Sequence, residues 1–200
     1  MTGIKFCGLR FPADIQAANA IRPDYVGFVF APSSSRFVTR EKAAELKAML
    51  SPGIKAVGVF VNEKPEVVAG YLKSGVADIA QLHGSEDDSY IAALRRLTDK
   101  PIIQAFRIRS GEDLEKARRS PADFILLDSG SGTGRAFDWS VVKDVGRPYF
   151  LAGGLDAENV ALAIRQLHPF AVDVSSGIET DRVKDERKMA AFAASVREEE

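Results

Sequence analysis

The strongest constraint on this chain is a rhythm. Short apolar, β-branched runs return at intervals of 21 to 30 residues, with helical patterns between them. The runs are IKFC (4–7), YVGFVF (25–30), KAVGVFV (55–61), DIAQLH (78–83), PIIQAFRI (101–108), FILLD (124–128), PYFLA (148–152) and AVDVS (171–175). Most are nearly continuous in hydrophobicity, as strands covered on both faces are. Between them, TREKAAELKAML sets Ala43, Leu46 and Leu50 at helical spacing, and DSYIAALRRL does the same with Ile91, Leu94 and Leu97. PEVVAGYLKSG, ENVALAIRQLH and ERKMAAFAASV carry similar stripes. Ser85 with Asp88 and Ser110 with Asp113 have capping-box spacing, and Asp156 stands ahead of a further helix. Eight such units predict a single (β/α)8 TIM barrel with short loops, spanning residues 1–200 with a solvated tail at 197–200. An open doubly wound sheet is the rival, but it would more usually have five to seven strands.

Composition narrows the function. A net charge of −1 gives no support to nucleic-acid or membrane-surface binding. One cysteine in 200 residues excludes an intrachain disulfide and fits a reducing cytoplasm. The N-terminus lacks an apolar run of signal-peptide length, and no run reaches the length of a membrane span.

In barrels of this kind the active site lies at the C-terminal ends of the strands, and here reactive and glycine residues collect at those ends. They include Cys7, Arg36 in the loop after strand 2, His83, Asp128, the AGGL turn with Gly153 and Gly154, and the SSG turn of Ser175, Ser176 and Gly177. Side chains alternate along a strand, so an inward Cys7 carries Lys5 inward one layer below; likewise His83 carries Gln81 and Ser175 carries Asp173. Strand 8 closes against strand 1, which lets Lys5 pair with Asp173 beneath Cys7. Two readings of Lys5 stand open: it helps hold Cys7 as a thiolate, or it only satisfies Asp173. Asp128 ends an apolar strand, where packing rarely places an acid. The SGSGTGRAFDW stretch after it reads as a glycine-hinged lid anchored by Phe137 and Trp139. The glycines of the last two strand ends suit a phosphate approached by backbone N–H groups. Arg36 amid small residues suits a carboxylate clamp. His83 is either an acid–base group or a hydrogen-bonded wall residue, and with only His168 besides it there is no histidine cluster for zinc. An acid and a base facing one another should have pKa values displaced in opposite directions, the acid's up and the thiol's down.

Taken together, IKFCGL, SSSRFV, QLHG, LLDSGSGTGRAFDW, LAGGL and VDVSSGIE resemble the phosphoribosylanthranilate isomerases of tryptophan biosynthesis, over nearly the whole chain. The resemblance implies a barrel without cofactor or metal. The family converts N-(5-phosphoribosyl)anthranilate to 1-(2-carboxyphenylamino)-1-deoxyribulose 5-phosphate by an Amadori rearrangement. Carried over by motif, Cys7 matches the general base, Asp128 the general acid and Arg36 the anthranilate-carboxylate ligand. Gly153, Gly154, Ser175, Ser176 and Gly177 match the phosphate site. Lys5, Gln81, His83 and Asp173 are supporting candidates. The expected partner is a small phosphoribosyl substrate, with the chain a cytoplasmic monomer or homodimer that binds neither nucleic acid nor membrane. One departure stands out. The family usually has a proline–glycine pair before lysine–aspartate, whereas this chain has Thr180–Val183 before Lys184 and Asp185. Two alternatives remain at this point: the related isomerase of histidine biosynthesis, which has an acid where Cys7 stands, and a non-catalytic phosphometabolite-binding barrel.

Overall fold

The computed structural model describes residues 1–128, 142 and 145–199. Eight parallel strands close into a barrel in sequence order. They are β1 (Gly3–Cys7), β2 (Tyr25–Val29), β3 (Lys55–Phe60), β4 (Ile79–Leu82), β5 (Ile102–Arg107), β6 (Phe124–Asp128), β7 (Tyr149–Ala152) and β8 (Ala171–Val174). The helices are α1 (Pro12–Ile21), α2 (Arg40–Ala48), α3 (Pro65–Lys73), α4 (Asp88–Arg95), α5 (Gly111–Arg118), α6 (Val160–Leu167) and α7 (Glu186–Arg197). After β8 come a 3-10 turn (Ser176–Ile178) and a two-stranded hairpin, β9 (Glu179–Thr180) and β10 (Val183–Lys184). The barrel is thus the one the rhythm predicts, with strand ends shifted by a residue or so. The lid expected from SGSGTGRAFDW, with Phe137 and Trp139, lies outside the described residues.

Period-two alternation explains how the barrel holds a site. One set of strand side chains turns outward: Ile4, Phe6, Val26, Phe28, Ala56, Phe60, Leu82, Ile125 and Val172 join a core shared with the helices. Phe6, for example, is fully buried and meets the ring of Phe192 on α7 edge-on at 6.4 Å. Burial of such a ring contributes roughly 1.5–3 kcal/mol. The other set turns inward. Val57, Ile79, Ile103, Leu126, Phe150 and Ala171 plug the lower interior, and Cys7, Val29, Ala31 and Val59 form a small cluster above them. The bulkiest side chains therefore end one layer below the mouth, and the space above is shared by smaller apolar residues and polar groups.

Local signals behave as their chemistry requires, with one correction. Ser110 caps α5 by accepting from the Asp113 N–H, and Asp156 accepts from the Glu158 and Asn159 N–H groups ahead of α6. The Ser85–Asp88 box does not form. Asp87 caps α4 by accepting from the Tyr90 N–H at 2.9 Å, because Ser85 is held by Asn62, to whose Oδ1 it donates from both N–H and hydroxyl. α7 takes in Arg197, which the sequence reading assigns to the tail and whose guanidinium donates to the carbonyl of Ile21 at 2.7 Å. Among the described residues no helix is long and apolar enough to cross a membrane.

Candidate active site

At the C-terminal end of the barrel a cavity of about 310 Å³ opens. Cys7, Arg36, Gln81, His83, Asp128, Gly153, Gly154, Asp173, Ser175 and Ser176 all line it. Residues scattered over almost the whole sequence thus meet in one space. Of the candidates, only Lys5 and Gly177 stand outside the lining, and both lie against residues that belong to it.

The register of β1 on β8 sets Lys5 opposite Asp173. Lys5 is wholly buried and donates from Nζ to Asp173 Oδ1 at 2.8 Å. Burial alone would lower the Lys5 pKa, but the charges of Asp173 and Cys7 and its hydrogen bonds to both raise it above the ordinary value. Lys5 therefore satisfies Asp173, and its charge also acts on Cys7, pulling the thiol's pKa down. The sign of the net effect on Cys7 differs from the expectation. Burial is the largest influence and pushes the thiol up; Lys5 and Lys184 pull it down and Asp173 pushes it up, and the net result is a raised pKa. Desolvation outweighs the cation because the pocket that brings Lys5 close also excludes water. The room for this arrangement comes from Gly27 on β2, where a Cβ would stand 2.8 Å from Cys7 Sγ and 3.3 Å from Lys5 Nζ. A glycine inside a strand is the sequence signal for such a close approach, and YVGFVF carries it.

Across the mouth, the ends of β4 and β6 bring a histidine near the acid. His83 Nε2 lies 3.5 Å from Asp128 Oδ2, with the two side chains 36% and 25% exposed. The Gln81 amide nitrogen is 2.9 Å from His83 Nδ1. The amide nitrogen can donate to Nδ1 in the tautomer that carries the imidazole proton on Nε2, toward Asp128. Gln81 is fully buried, and its Oε1 has no hydrogen-bond partner among the described residues.

The two glycine turns differ in what they need. Gly153 and Gly154 have φ of 95° and 66°, a left-handed conformation that glycine adopts without penalty. Gly177 is required by space: a Cβ there would lie 2.0 Å from the carbonyl oxygen of Leu155. Ser175 donates its hydroxyl to the Cys7 carbonyl at 3.0 Å and so ties β8 to β1.

Arg36 holds what the sequence did not single out. Its Nε and Nη2 donate to the two carboxylate oxygens of Glu179 at 2.7 and 2.6 Å, and Lys184 Nζ reaches Glu179 Oε1 at 2.7 Å. Glu179 and Lys184 face one another across the β9–β10 hairpin, whose tip residues Asp181 and Arg182 have φ of 51° and 64°. Two positive φ values make this a type I′ turn, the tight turn that best suits a two-residue hairpin. The departure at Thr180–Val183 thus sits at the hairpin tip, and none of these four residues lines the cavity.

A closed parallel barrel with an acid, a thiol, an arginine and two glycine turns around one mouth defines an acid–base barrel enzyme acting on a small anionic substrate. Residues 4–195 match the family described as N-(5'phosphoribosyl)anthranilate (PRA) isomerase, and this chain belongs to that family. It is 40% identical over 194 residues to the N-(5'-phosphoribosyl)anthranilate isomerase of Endomicrobium trichonymphae, covering 94% of this chain and 95% of the relative. It is 44% identical to that of Caldanaerobacter subterraneus, covering 98% of both. The crystal structure of the Thermotoga maritima enzyme superposes with a TM-score of 0.92 at 34% identity, over 99% of this chain and 100% of that one. A phosphoribosyl anthranilate isomerase in complex with reduced 1-(o-carboxyphenylamino)-1-deoxyribulose 5-phosphate matches with a TM-score of 0.89 at 34% identity, over the same shares.

Proposed function

We propose that this barrel isomerises N-(5-phosphoribosyl)anthranilate to 1-(2-carboxyphenylamino)-1-deoxyribulose 5-phosphate, with Asp128 as general acid and Cys7 as general base. The observation that carries the residue roles is the meeting of Cys7, Asp128, Arg36 and both glycine turns on one cavity of about 310 Å³. Protonated Asp128 gives its proton to the ribose ring oxygen as the C1′–O bond breaks. The anilino nitrogen supplies the electron pair and becomes a protonated Schiff base. The proton on C2′ is now acidic, and the Cys7 thiolate removes it, leaving an enolamine. Proton return to C1′ and loss of the proton on O2′ give the ketone, with Asp128, now a carboxylate, able to take part. His83, whose Nε2 lies 3.5 Å from Asp128 Oδ2, supports that carboxylate while it is charged.

The raised thiol pKa defines the task of Lys5 and Lys184. Both oppose the effect of burial on Cys7, so both make its thiolate easier to form. Arg36 is placed to take the anthranilate carboxylate, and the turns of Gly153–Gly154 and Ser175–Gly177 to take the phosphate. The phosphate is then a remote handle whose binding energy holds C1′ and C2′ between the two proton carriers. The partner is this one small phosphosugar, and the chain acts in the cytoplasm as a monomer or homodimer; the Thermotoga maritima relative is described as dimeric.

The test is to generate the substrate in situ and follow loss of its fluorescence with the wild type, Cys7→Ala and Asp128→Asn. The wild type should consume substrate, and each substitution should lower kcat by about 10²- to 10⁴-fold, the range of one general acid or base. A folded wild type that leaves the substrate untouched would sink the reading. A Cys7→Ala variant near wild-type rate would remove Cys7 from the mechanism.

A further inference from the structure

Arg36 is described above as a carboxylate receptor, yet its fork is already filled by a carboxylate. Glu179 takes Nε and Nη2, at 2.7 and 2.6 Å. Its side chain is 6% exposed, against 27% for Arg36. Arg36 lines the cavity and Glu179 does not. A bidentate acid therefore grips the guanidinium from behind and leaves the edge of Nη1 and the second Nη2 proton for another acid. The stem is confined too: Gly8, at φ 82°, lies so close that a Cβ there would meet Arg36 Cδ at 2.4 Å.

Charge completes the argument. Arg36 and Glu179 alone sum to zero and would offer a carboxylate no net attraction. Lys184, 2% exposed, lies 2.7 Å from Glu179 and makes the cluster net positive by one. The same ammonium donates to the carbonyl of Ser175 at 2.9 Å, and Ser175 in turn holds the carbonyl of Cys7. The cluster is thus fixed to the strand that carries the base.

We propose that Glu179 and Lys184 are positioning residues for Arg36, and that the three together form the receptor for the substrate's aromatic carboxylate, Glu179 aiming the guanidinium and Lys184 setting the net charge. This rests on the reading that Arg36 takes that carboxylate. Glu179 is suited to the task across the working pH range. Burial pushes its carboxyl up, but hydrogen bonds from Arg36 and Lys184, with their charges, hold it at about 2.

Two measurements on the full chain test this: kcat and KM for N-(5-phosphoribosyl)anthranilate, and the Kd of reduced 1-(o-carboxyphenylamino)-1-deoxyribulose 5-phosphate by calorimetry. Glu179→Gln and Lys184→Met are compared with the wild type, and inhibition by inorganic phosphate reports an intact phosphate seat. Each variant should raise KM and Kd by about tenfold or more, the loss of one charge-assisted contact, with phosphate inhibition unchanged; kcat should stay within about threefold in Glu179→Gln, whereas in Lys184→Met it should also fall, because that ammonium pulls the Cys7 thiol down. A lower KM in Glu179→Gln would overturn the proposal, because Glu179 would then be a competitor for Arg36. Unchanged KM and Kd in both variants would also overturn it. Loss of phosphate inhibition along with affinity would reduce the cluster to a structural tie and reject the receptor. A wild type that binds the reduced compound without turning over substrate would refute the catalytic reading alone, and the Kd comparison would still decide the receptor. A wild type that does neither would end both.

Discussion

The two sides of the barrel mouth are built differently. On the β8–β1–β2 side, charged groups form close ion pairs at 2.6–2.8 Å, and all of them but Arg36 are nearly buried: Lys5 on Asp173, Arg36 on Glu179, and Lys184 on Glu179. On the β4–β6 side, His83 and Asp128 are partly exposed and 3.5 Å apart. The difference fits the work proposed for each. A base that must remove a proton from carbon needs fixed aim and controlled charge, which buried ion pairs supply. An acid that first gives a proton and then carries a charge gains from partial exposure to solvent.

The largest expected effect breaks the contrast by deleting its buried centre. Lys5→Met leaves Asp173, 8% exposed, without its partner. Stability should fall by roughly 3–5 kcal/mol, the cost of stranding a buried charge. The Cys7 thiol should titrate at still higher pH, read by the pH dependence of its alkylation, because Lys5 pulls it down and Asp173 pushes it up. The matched change on the open side, His83→Asn, should move the unfolding midpoint by no more than about 0.5 kcal/mol, as partly exposed contacts usually do. Equal losses from the two substitutions would erase the contrast.

An intermediate effect sharpens it through pH. Glu179 sits at about 2 in the fold against an ordinary 4.5, so the native state binds fewer protons there than the unfolded chain. Its stabilisation is complete above 4.5 and is lost as pH falls from there toward 2. The stability difference between wild type and Glu179→Gln, from urea denaturation at stepped pH, should therefore shrink through that window. Cys7 has the opposite sign. Its raised pKa favours the native state at pH below the ordinary 9.0, and that contribution fades as pH rises through the folded value. Cys7→Ala should flatten the alkaline limb of the stability profile.

The smallest effect concerns the hairpin that carries Glu179 and Lys184. Arg182 has a φ of 64°, a conformation that costs a residue with a Cβ about 1 kcal/mol. Arg182→Gly should raise stability by up to that amount, about 2–4 °C in Tm for a chain of this size, read by calorimetry. Its backbone carbonyl still accepts from Arg10, so activity should hold.

Much of this was legible beforehand, because it follows from local rules. Eight apolar runs at near-constant spacing leave few alternatives to a closed barrel, and period-two alternation puts Lys5 beneath Cys7 and Asp173 beneath Ser175. Each of those inferences needs only neighbours in sequence and one closure between first and last strands. What escaped depends on long-range geometry. Ser85 looked like a cap until Asn62, from the preceding strand end, claimed it. Glu179 and Lys184 carry no such signal, since nothing in SSGIET says that the chain folds back to set its acid against an arginine 143 positions away. The thiol's sign failed for the same reason: pairing is visible in sequence, but the water that burial removes is not.

The contact between Gly177 and the Leu155 carbonyl has a consequence for how this molecule can change. A Cβ at 177 would stand 2.0 Å from that oxygen, so the loops after β7 and β8 touch backbone to backbone with no side chain as cushion. Two loops in such contact are not separate parts. A residue added to one must be answered in the other, and a drifting sequence would have to alter both at once or neither. The turns are read in sequence as two motifs some twenty residues apart, but in the folded molecule they are a single heritable unit.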